Sequence, residues 1–230
     1  MLLDRLELIN EEFYTDRVTP EAMDILLANA WRHFGTHFTR YNFGVHEGEI
    51  RRVLPLRVRV QDFKLFKSQR RIIRKNADLE TLVRPIELTE ETHDLVERHK
   101  RRFTFGVPNS IYDFLSTEPA ITPGTAYEIR VTREGKLLAA SFFDVGITAV
   151  SSIYGIFEPD ETKRSLGIFT MLKEIEFAVE HGMNHYYPGY AYQGESFYDY
   201  KKRFSALETF DWKGNWNDWS SEHSGDCFDR

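Results

Sequence analysis

The sequence predicts a mixed α+β (α/β) fold, in which helices flank a twisted mixed sheet and a smaller N-terminal lobe lies beside it. Hydrophobic residues make up 41% of the 230 residues and charged residues 29%, which is ordinary for a globular domain. Residues 126–132, 137–145 and 148–157 are typical of strands, and the turn residues 133–136 separate the first two. Residues 165–180 place apolar side chains at helical spacing, and residues 185–190 form a short strand after them. The second half therefore predicts the order β-β-β-α-β-α-β.

The N-terminal part is predicted to form the smaller lobe. Thr19 can cap a helix that starts at Pro20, because its hydroxyl accepts a hydrogen bond from the first turn. Residues 31–43 are aromatic and alternating, which favours paired strands. Residues 54–60 alternate apolar side chains with proline and arginine, so one face of that strand is buried and the other is cationic. We assign residues 1–85 to this lobe, 86–216 to the sheet domain and 217–230 to a polar tail.

Basic residues are concentrated in one segment of an otherwise acidic chain. Residues 51–75 contain ten Lys or Arg and one acid, a charge of +9, whereas the other 205 residues sum to −15. Ser68 can cap a short basic helix that continues through Lys75. A local cluster of cations attracts phosphates even on an acidic protein, because distant charges are screened by salt. The alternative is a solvated helix face next to an edge strand that its charges protect from aggregation.

The composition excludes several other classes of protein. No segment approaches the run of about 18 apolar residues that a membrane helix needs. The N-terminus has acidic residues and no cleavage site of small residues, so we expect no signal peptide. Cys227 is the only cysteine, which excludes an internal disulfide and a cysteine-based zinc site. Together these features predict a cytoplasmic protein.

A short loop with one glycine precedes the main helix of the second half. Lys163 and Arg164 are followed by Ser165, Leu166 and Gly167. In the acyltransferase fold called GNAT, a loop of this composition presents backbone N–H groups at a helix N-terminus, where they hold an anionic donor. The alternative is that Gly167 only permits a tight turn.

Five strings of sequence, taken in order, resemble one enzyme family. They begin at Trp31, Leu54, Arg164, Tyr187 and Tyr200 and read WRHFG…FTRY, LPLRV…SQRR…RKNADL, RSLG, YPGY and YKKRF…LE. In this order and at these distances they resemble the aminoacyl-tRNA–protein transferases, over roughly residues 10 to 210. These are the arginyltransferases and their bacterial leucyltransferase relatives, which extend proteins that have acidic N-termini.

The resemblance implies a GNAT-like catalytic half, charged tRNA as the donor and an acceptor protein with N-terminal Asp or Glu. The family also carries a cysteine cluster, but this chain has no cysteine in residues 42–53 or 12–14, where that cluster would lie. We therefore expect no cofactor, neither a metal ion nor an iron–sulfur cluster, since aminoacyl-tRNA is a substrate. The alternative is that His33, His37 and His46 form a metal site in place of the cysteines. The simpler interpretation is that these histidines are polar residues in aromatic strands.

The residues that carry the resemblance also supply the candidate binding site. The basic segment would contact tRNA phosphates, since phosphate and shape contacts dominate the recognition of A-form RNA. The loop before the main helix would cradle the 3′-terminal nucleotide. The cations after Tyr200 would bind tRNA phosphate or the acidic side chain of the acceptor. The predicted binding residues are Arg57, Arg70, Arg71, Arg74, Lys75, Asn76, Arg164, Ser165, Leu166, Gly167, Tyr200, Lys201 and Arg203.

The chemistry that the resemblance implies makes modest demands on the protein. Aminoacyl-tRNA is an activated ester, and its nucleophile is an α-amine whose ordinary pKa is about 7.7–8.0, so neither a strong base nor a metal is needed. The enzyme must hold ester and amine in attack geometry and stabilise the oxyanion. Tyr187 and Tyr190 lie at a predicted strand end, where a hydroxyl can protonate the leaving oxygen or donate to the oxyanion. The alternative for both tyrosines is aromatic core packing.

Two other functions fit the sequence. An acyl-CoA-dependent N-acyltransferase would use the same fold, although it has no need of the basic residues 51–75. A non-catalytic protein that binds tRNA or a degron would explain the missing cysteines. The donor amino acid is open at this point, because arginine needs an acidic pocket and leucine an apolar one.

Overall fold

The structure is a computed structural model that describes residues 7–219. Its chain begins with β1 (Asn10–Tyr14), α1 (Pro20–Ala28), β2 (Arg32–Phe34) and β3 (His37–Tyr41). The three strands form a small antiparallel sheet in the order β1-β3-β2. Thr19 caps α1 as the sequence predicts, since its hydroxyl accepts from Ala22 N at 3.3 Å.

The basic segment contributes one long strand and one helix. The elements of this part are β4 (Phe43–His46), β5 (Glu49–Arg59), α2 (Lys67–Lys75), β6 (Glu80–Pro85) and α3 (Glu90–Lys100). The start of α2 differs from the prediction, because Ser68 lies inside the helix and Phe66 precedes it. The Gln69 side chain accepts from Phe66 N at 2.9 Å and satisfies that N–H group at the helix start.

The second half follows the predicted order up to its last helix. Its elements are β7 (Ala126–Arg133), β8 (Lys136–Val145), β9 (Ala149–Phe157), α4 (Leu166–Glu180), β10 (His185–Tyr192), β11 (Leu207–Phe210) and β12 (Trp216–Asp218). The helix expected between β10 and β11 is only a 3₁₀ turn, Asp199–Lys202. The Asp199 carboxylate accepts from Ser196 N at 3.1 Å and closes this tight turn, and β11 begins too soon for a longer helix.

One large mixed sheet crosses the predicted boundary between the lobes. Its strands lie in the order β12-β11-β5-β10-β9-β8-β7-β6, and β4 pairs with β5. Val53, Leu56 and Val58 of β5 are almost fully buried in this sheet, which explains why the strand leaves the small lobe. The expectation of a separate lobe is therefore corrected for β5, whereas the small sheet and α1 do lie beside the large sheet. The division at residue 85 stays a prediction about folding units.

The helix α4 packs against one face of the large sheet. Leu172, Ile175 and Ala178 are buried in the main core, as their helical spacing predicts. On another part of the sheet, Met23 of α1 and Phe38 of β3 form a smaller apolar cluster with β10. Within residues 7–219, no helix is long and apolar enough to span a membrane.

Strands β9 and β10 start as a parallel pair and then separate. They are paired only from Ala149 to Ser151 and from His185 to Tyr187. The register of β10 against β5 shifts between Tyr186 and Gly189, so β10 bends away from β9. Three antiparallel strands, a helix and a fourth strand that splays from the third are the GNAT arrangement. The predicted fold class is confirmed.

Candidate active site

The gap between β9 and β10 is a cleft, and two cations lie in it. Gly189 of β10 has a φ of +99°, a backbone conformation that glycine adopts without strain. A β-carbon there would lie 3.0 Å from Lys201 Nζ and 3.6 Å from Arg32 Nη2. The absence of that atom therefore gives the two cationic side chains room beside β10. We call the gap with Arg32, Gly189 and Lys201 the splay cleft.

Arg32 reaches the splay cleft from the small sheet. Its guanidinium donates to Ser151 Oγ and to the carbonyl oxygen of Ser152, where β9 loses its partner strand. The next residue, His33, is buried with its ring nitrogens 2.8 Å from Asp144 Oδ2 and 2.8 Å from Gly35 O. These contacts fix β2 against the large sheet, and burial lowers the pKa of Arg32.

Lys201 enters the cleft from the 3₁₀ turn after β10. Its Nζ donates to Tyr190 O at 3.2 Å and lies 5.0 Å from the centre of the Tyr198 ring. Burial, with the charge of Arg32 as a second cause, lowers the pKa of Lys201 to about 7. Within residues 7–219, no carboxylate lies within ion-pair distance of this ammonium group. The sequence places Lys201 among the binding residues, and the structure adds that it lies inside the cleft.

A buried carboxylate lies beneath the two cations. Glu174 of α4 is 0% exposed and accepts from Tyr186 Oη at 2.7 Å and from Ser152 Oγ at 3.4 Å. Burial raises the pKa of Glu174 to about 7, against the opposing effect of its hydrogen bonds and of Arg32. The splay cleft therefore holds one guanidinium, Arg32, together with an amine and a carboxyl group that both titrate near neutrality.

Aromatic side chains and one further arginine lie at the mouth of the cleft. The guanidinium of Arg102 lies 4.2 Å from the centre of the Phe157 ring, at the end of β9. Phe157 in turn contacts the first turn of α4, since a β-carbon at Gly167 would lie 3.0 Å from its Cε1. Gly167 therefore serves close packing between helix and strand, in addition to any contact with a donor. Tyr198 and Tyr200 complete this mouth, with ring centres 5.0 and 6.0 Å from Lys201 Nζ.

The start of α4 has free backbone donors, as the loop predicts. Ser165 has a φ of +54° and its side chain does not cap the helix. The N–H groups of the first turn, at Leu166 and Gly167, therefore point out of the helix without an intrahelical partner. The guanidinium of Arg164 donates to both carboxylate oxygens of Asp78 at 2.8 Å. Arg164 thus has a structural contact, and its binding role stays a prediction.

The exposed face of α2 lies next to the start of α4. Asn76 is buried, and its amide donates to Arg164 O at 2.9 Å and to Ile72 O at 3.0 Å. Asn76 thus joins the two segments and is not available to RNA, which corrects its predicted role. Four predicted cations of α2 are exposed, and within the described part of the chain none of them has an acidic partner. They are Arg70, Arg71, Arg74 and Lys75.

Arg57 lies apart from this basic face, whereas Arg203 lies next to α2. Arg57 Nε donates to Glu208 Oε2 at 2.6 Å, and its guanidinium stacks 4.4 Å from the centre of the Trp216 ring. The cationic face predicted for β5 is therefore neutralised by β11 and β12, which corrects the expectation that Arg57 meets phosphate. Arg203 is exposed, and its carbonyl oxygen accepts from Gln69 Nε2 at 2.9 Å.

The hydroxyls of the two predicted catalytic tyrosines face protein groups. Tyr187 is 3% exposed and packs with Met23 and Leu27 of α1. Tyr190 Oη donates to the carbonyl oxygen of Ala30, and burial raises its pKa far above the ordinary value. Both arrangements match the alternative of aromatic packing, and a catalytic role for either tyrosine stays a prediction.

The three histidines proposed as a rebuilt metal site do not converge. His33 contacts Asp144, His37 Nε2 lies 2.8 Å from Glu12 Oε2, and His46 stacks on Tyr192. Across residues 7–219, no group of three or more metal-binding side chains is present. The segments where the family's cysteine cluster would lie form β1 and the β4–β5 hairpin, and their residues do not suit a zinc ion or an iron–sulfur cluster. Cys227 lies outside the described residues.

Sequence reasoning assigned no role to Arg32, Arg102 or Glu174. Arg32 stands in one of the family-like strings, but nothing local indicates that it reaches β9. Glu174 did leave a signal, because it lies between Met171 and Ile175 on the apolar side of α4. A lone acid among apolar helix positions is a candidate for a buried functional group.

Comparison with known proteins identifies the family. Residues 87–211 match the family described as "Arginine-tRNA-protein transferase, C terminus". The aspartate/glutamate leucyltransferase of Xanthomonas campestris pv. campestris (strain B100) is 33% identical over 175 residues, which cover 71% of this chain and 69% of that one. The protein of the same name from Marinobacter nauticus is 28% identical over 202 residues, which cover 86% and 82%.

A solved structure supports the fold. FemX aligns with 85% of this chain and 68% of its own, with a TM-score of 0.50 and 13% identity, so the likeness shows the fold alone. The sequence matches carry the family assignment, since they cover most of the chain, including the strands of the splay cleft. This chain belongs to the arginine-tRNA–protein transferase family and is an aminoacyltransferase.

Proposed function

We propose that the protein transfers leucine from charged tRNA to the N-terminal α-amine of proteins whose first residue is Asp or Glu. Family membership supports the reaction class, and the names of the Xanthomonas and Marinobacter relatives support the donor and the acceptor. Such a donor places the reaction in the cytoplasm, where proteins are synthesised.

The observation that carries this proposal is the guanidinium of Arg32 inside the splay cleft. Burial disfavours the charged form of Arg32, whose carboxylate neighbours are Asp144 and the weakly ionised Glu174. An acidic side chain that enters the cleft restores favourable charge–charge contacts and accepts charge-assisted hydrogen bonds. An amide side chain of the same shape gains much less, which explains a preference for Asp and Glu over Asn and Gln.

The same charges favour leucine over arginine as the transferred amino acid. An arginyl group would bring a third guanidinium next to Arg32 and Arg102, and like charges repel strongly where water is excluded. The acid of the cleft, Glu174, is already occupied by Tyr186 and Ser152. A leucyl group instead finds aromatic contacts at the mouth, from Phe157 and Tyr198.

The tRNA is held by the exposed face of α2. The cations of that face lie next to the start of α4, because Asn76 ties the two segments together. Phosphates that follow α2 bring the 3′ end to the free N–H groups of Leu166 and Gly167, and the ester then lies at the mouth of the cleft. Binding of this kind is independent of base sequence and sensitive to salt.

The chemistry requires positioning more than activation. The acceptor amine attacks the ester carbonyl carbon, and the ribose oxygen leaves with a proton, so no redox step occurs. The splay cleft contributes by holding the two reactants together and by excluding water that would hydrolyse the ester. We propose that the reaction proceeds without a metal or other cofactor. Elemental analysis of active protein tests this, and one tightly bound metal per chain contradicts it.

A transfer assay tests the proposal. Purified protein is mixed with tRNA charged with radiolabelled leucine or arginine and with a peptide that begins with Asp. We expect label in the peptide from Leu-tRNA, much less from Arg-tRNA, and none when the peptide's amine is acetylated. If the protein binds both tRNAs but transfers neither amino acid, the catalytic proposal is wrong and a binding protein is the better description.

A further inference from the structure

We propose that Lys201 is the proton acceptor of the transfer step. This inference rests on the proposed function and gives a chemical role to a side chain for which the sequence suggests only binding. It follows from where the amine of Lys201 lies and from the groups that surround it.

The position of Nζ favours an uncharged amine. It lies within the gap that Gly189 leaves, and it makes one hydrogen bond to a protein acceptor, Tyr190 O at 3.2 Å. In the described part of the chain its charged neighbours are Arg32, which disfavours a second cation, and the buried Glu174. The rings of Tyr198 and Tyr200, with centres 5.0 and 6.0 Å from Nζ, provide the remaining electrostatic contacts. A buried amine beside a guanidinium and without an ion pair gives up its proton readily.

The pKa of Lys201 agrees with this geometry. At about 7, it leaves a large share of the side chain neutral at physiological pH, whereas an ordinary lysine is almost fully charged. A proton acceptor works best when its pKa is close to the working pH. The neighbouring Lys202 provides a geometric contrast, because its Nζ lies 2.8 Å from Asp199 Oδ1 in an ion pair.

The proposed step is balanced in protons and electrons. The nitrogen of the acceptor amine uses its lone pair to form the C–N bond, and the C–O bond to the ribose breaks with its electron pair on oxygen. The nitrogen loses one proton to Lys201 Nζ, which becomes an ammonium group next to the Tyr198 ring. That proton then neutralises the ribose oxygen, directly or through water. Lys201 returns to its neutral form, and no other reactant is consumed.

Two substitutions separate this role from that of a fixed positive charge. Lys201→Arg keeps a cation but cannot accept a proton, because arginine stays charged in proteins. Lys201→Met removes both the charge and the base. Lys213→Met is the matched control, since Lys213 is an exposed lysine in a turn. Unfolding temperature and tRNA affinity are measured for all three variants, so that loss of the fold is detected.

We expect both Lys201 variants to lose about 100-fold or more in the single-turnover transfer rate, as general-base catalysis typically contributes about 10²–10⁴. The apparent KM for an Asp-peptide should change much less in Lys201→Arg. In the wild type the rate at saturating acceptor should rise through the pH range around 7, and Lys201→Met should lack this rise. If Lys201→Arg transfers within about threefold of the wild type, positive charge is sufficient and the proposal is overturned.

A second measurement observes the amine directly and does not depend on transfer. Acetic anhydride labels neutral amines only, so the pH dependence of labelling at Lys201, read by mass spectrometry, reports its titration. We expect labelling of Lys201 to increase around pH 7, about three pH units below the titration of an ordinary lysine. An ordinary lysine titration at Lys201 overturns the inference even if transfer occurs. Absence of wild-type transfer from any charged tRNA instead refutes the proposed function, and the proton-acceptor role falls with it.

Discussion

Gly189→Ala tests whether the splay cleft is the place of reaction. The new β-carbon would lie 3.0 Å from Lys201 Nζ and 3.6 Å from Arg32 Nη2, on a backbone with a φ of +99°. Backbone strain of this kind costs about 1–3 kcal/mol, which lowers the unfolding temperature by about 2–4 °C per kcal/mol in a protein of this size. The larger effect should be on transfer, because the lysine must move and a displacement of about 1 Å can cost about 100-fold in rate.

Gly182→Ala is the matched control for backbone strain. Gly182 also has a positive φ, +66°, but no atom lies within 4 Å of where its β-carbon would be. Thermal unfolding and single-turnover transfer are measured for both variants. We expect both to lose stability and only Gly189→Ala to lose activity. If Gly189→Ala transfers leucine at the wild-type rate despite a lower unfolding temperature, the chemistry does not occur in the splay cleft.

Three further predictions concern the tRNA surface, the buried acid and the β5 ion pair. The double variant Arg70→Ala, Arg71→Ala should bind tRNA more weakly, and its slope of log K against log salt concentration should be smaller by up to about two units. If it binds tRNA like the wild type at every salt concentration, α2 does not contact tRNA phosphates. Burial raises the pKa of Glu174 to about 7 from 4.5, so the folded state keeps a proton that the unfolded chain releases, and this contribution to stability is lost between those pH values. Glu174→Gln removes this titration, so between pH 4.5 and 7 its free energy of unfolding in urea should rise by about 1–3 kcal/mol relative to that of the wild type. If the difference in unfolding free energy between the two proteins is the same at both pH values, the raised pKa of Glu174 is wrong. Arg57→Ala should cost about 1–3 kcal/mol of unfolding free energy by leaving Glu208 short of a partner, with tRNA affinity unchanged, and weaker tRNA binding would restore Arg57 to the RNA surface.

The strands of the second half, α4 and the cap of α1 were predictable from the sequence. The apolar strand-like segments of residues 126–157 and the helical spacing of α4 predicted the GNAT half, because both signals lie within single segments of the chain. The cap at Thr19 was equally local. Ser68 failed as a cap since Gln69 satisfies the helix start in its place.

Contacts between residues far apart in the chain could not be predicted from the sequence. Arg57 has the alternation of an exposed cation, and only the distant Glu208 and Trp216 make it a paired, half-buried one. Likewise, the splay cleft joins Arg32 of the small sheet to Lys201, which follows β10. Residues so far apart in the chain meet only through the order of strands in the sheet, and that order leaves no trace in either segment.

A competition between two acceptors tests the central claim most directly. Two peptides that differ only in Asp or Asn at the first position are mixed in equal amounts with Leu-tRNA, and mass spectrometry follows the leucylated products. The wild type should modify the Asp-peptide at least about tenfold faster, since a charge-assisted hydrogen bond contributes about 1.5–3 kcal/mol. Arg32→Gln should reduce the ratio of the modification rates of the Asp-peptide and the Asn-peptide. Equal modification of the two peptides by the wild type would contradict an acidic acceptor held by Arg32 in the splay cleft.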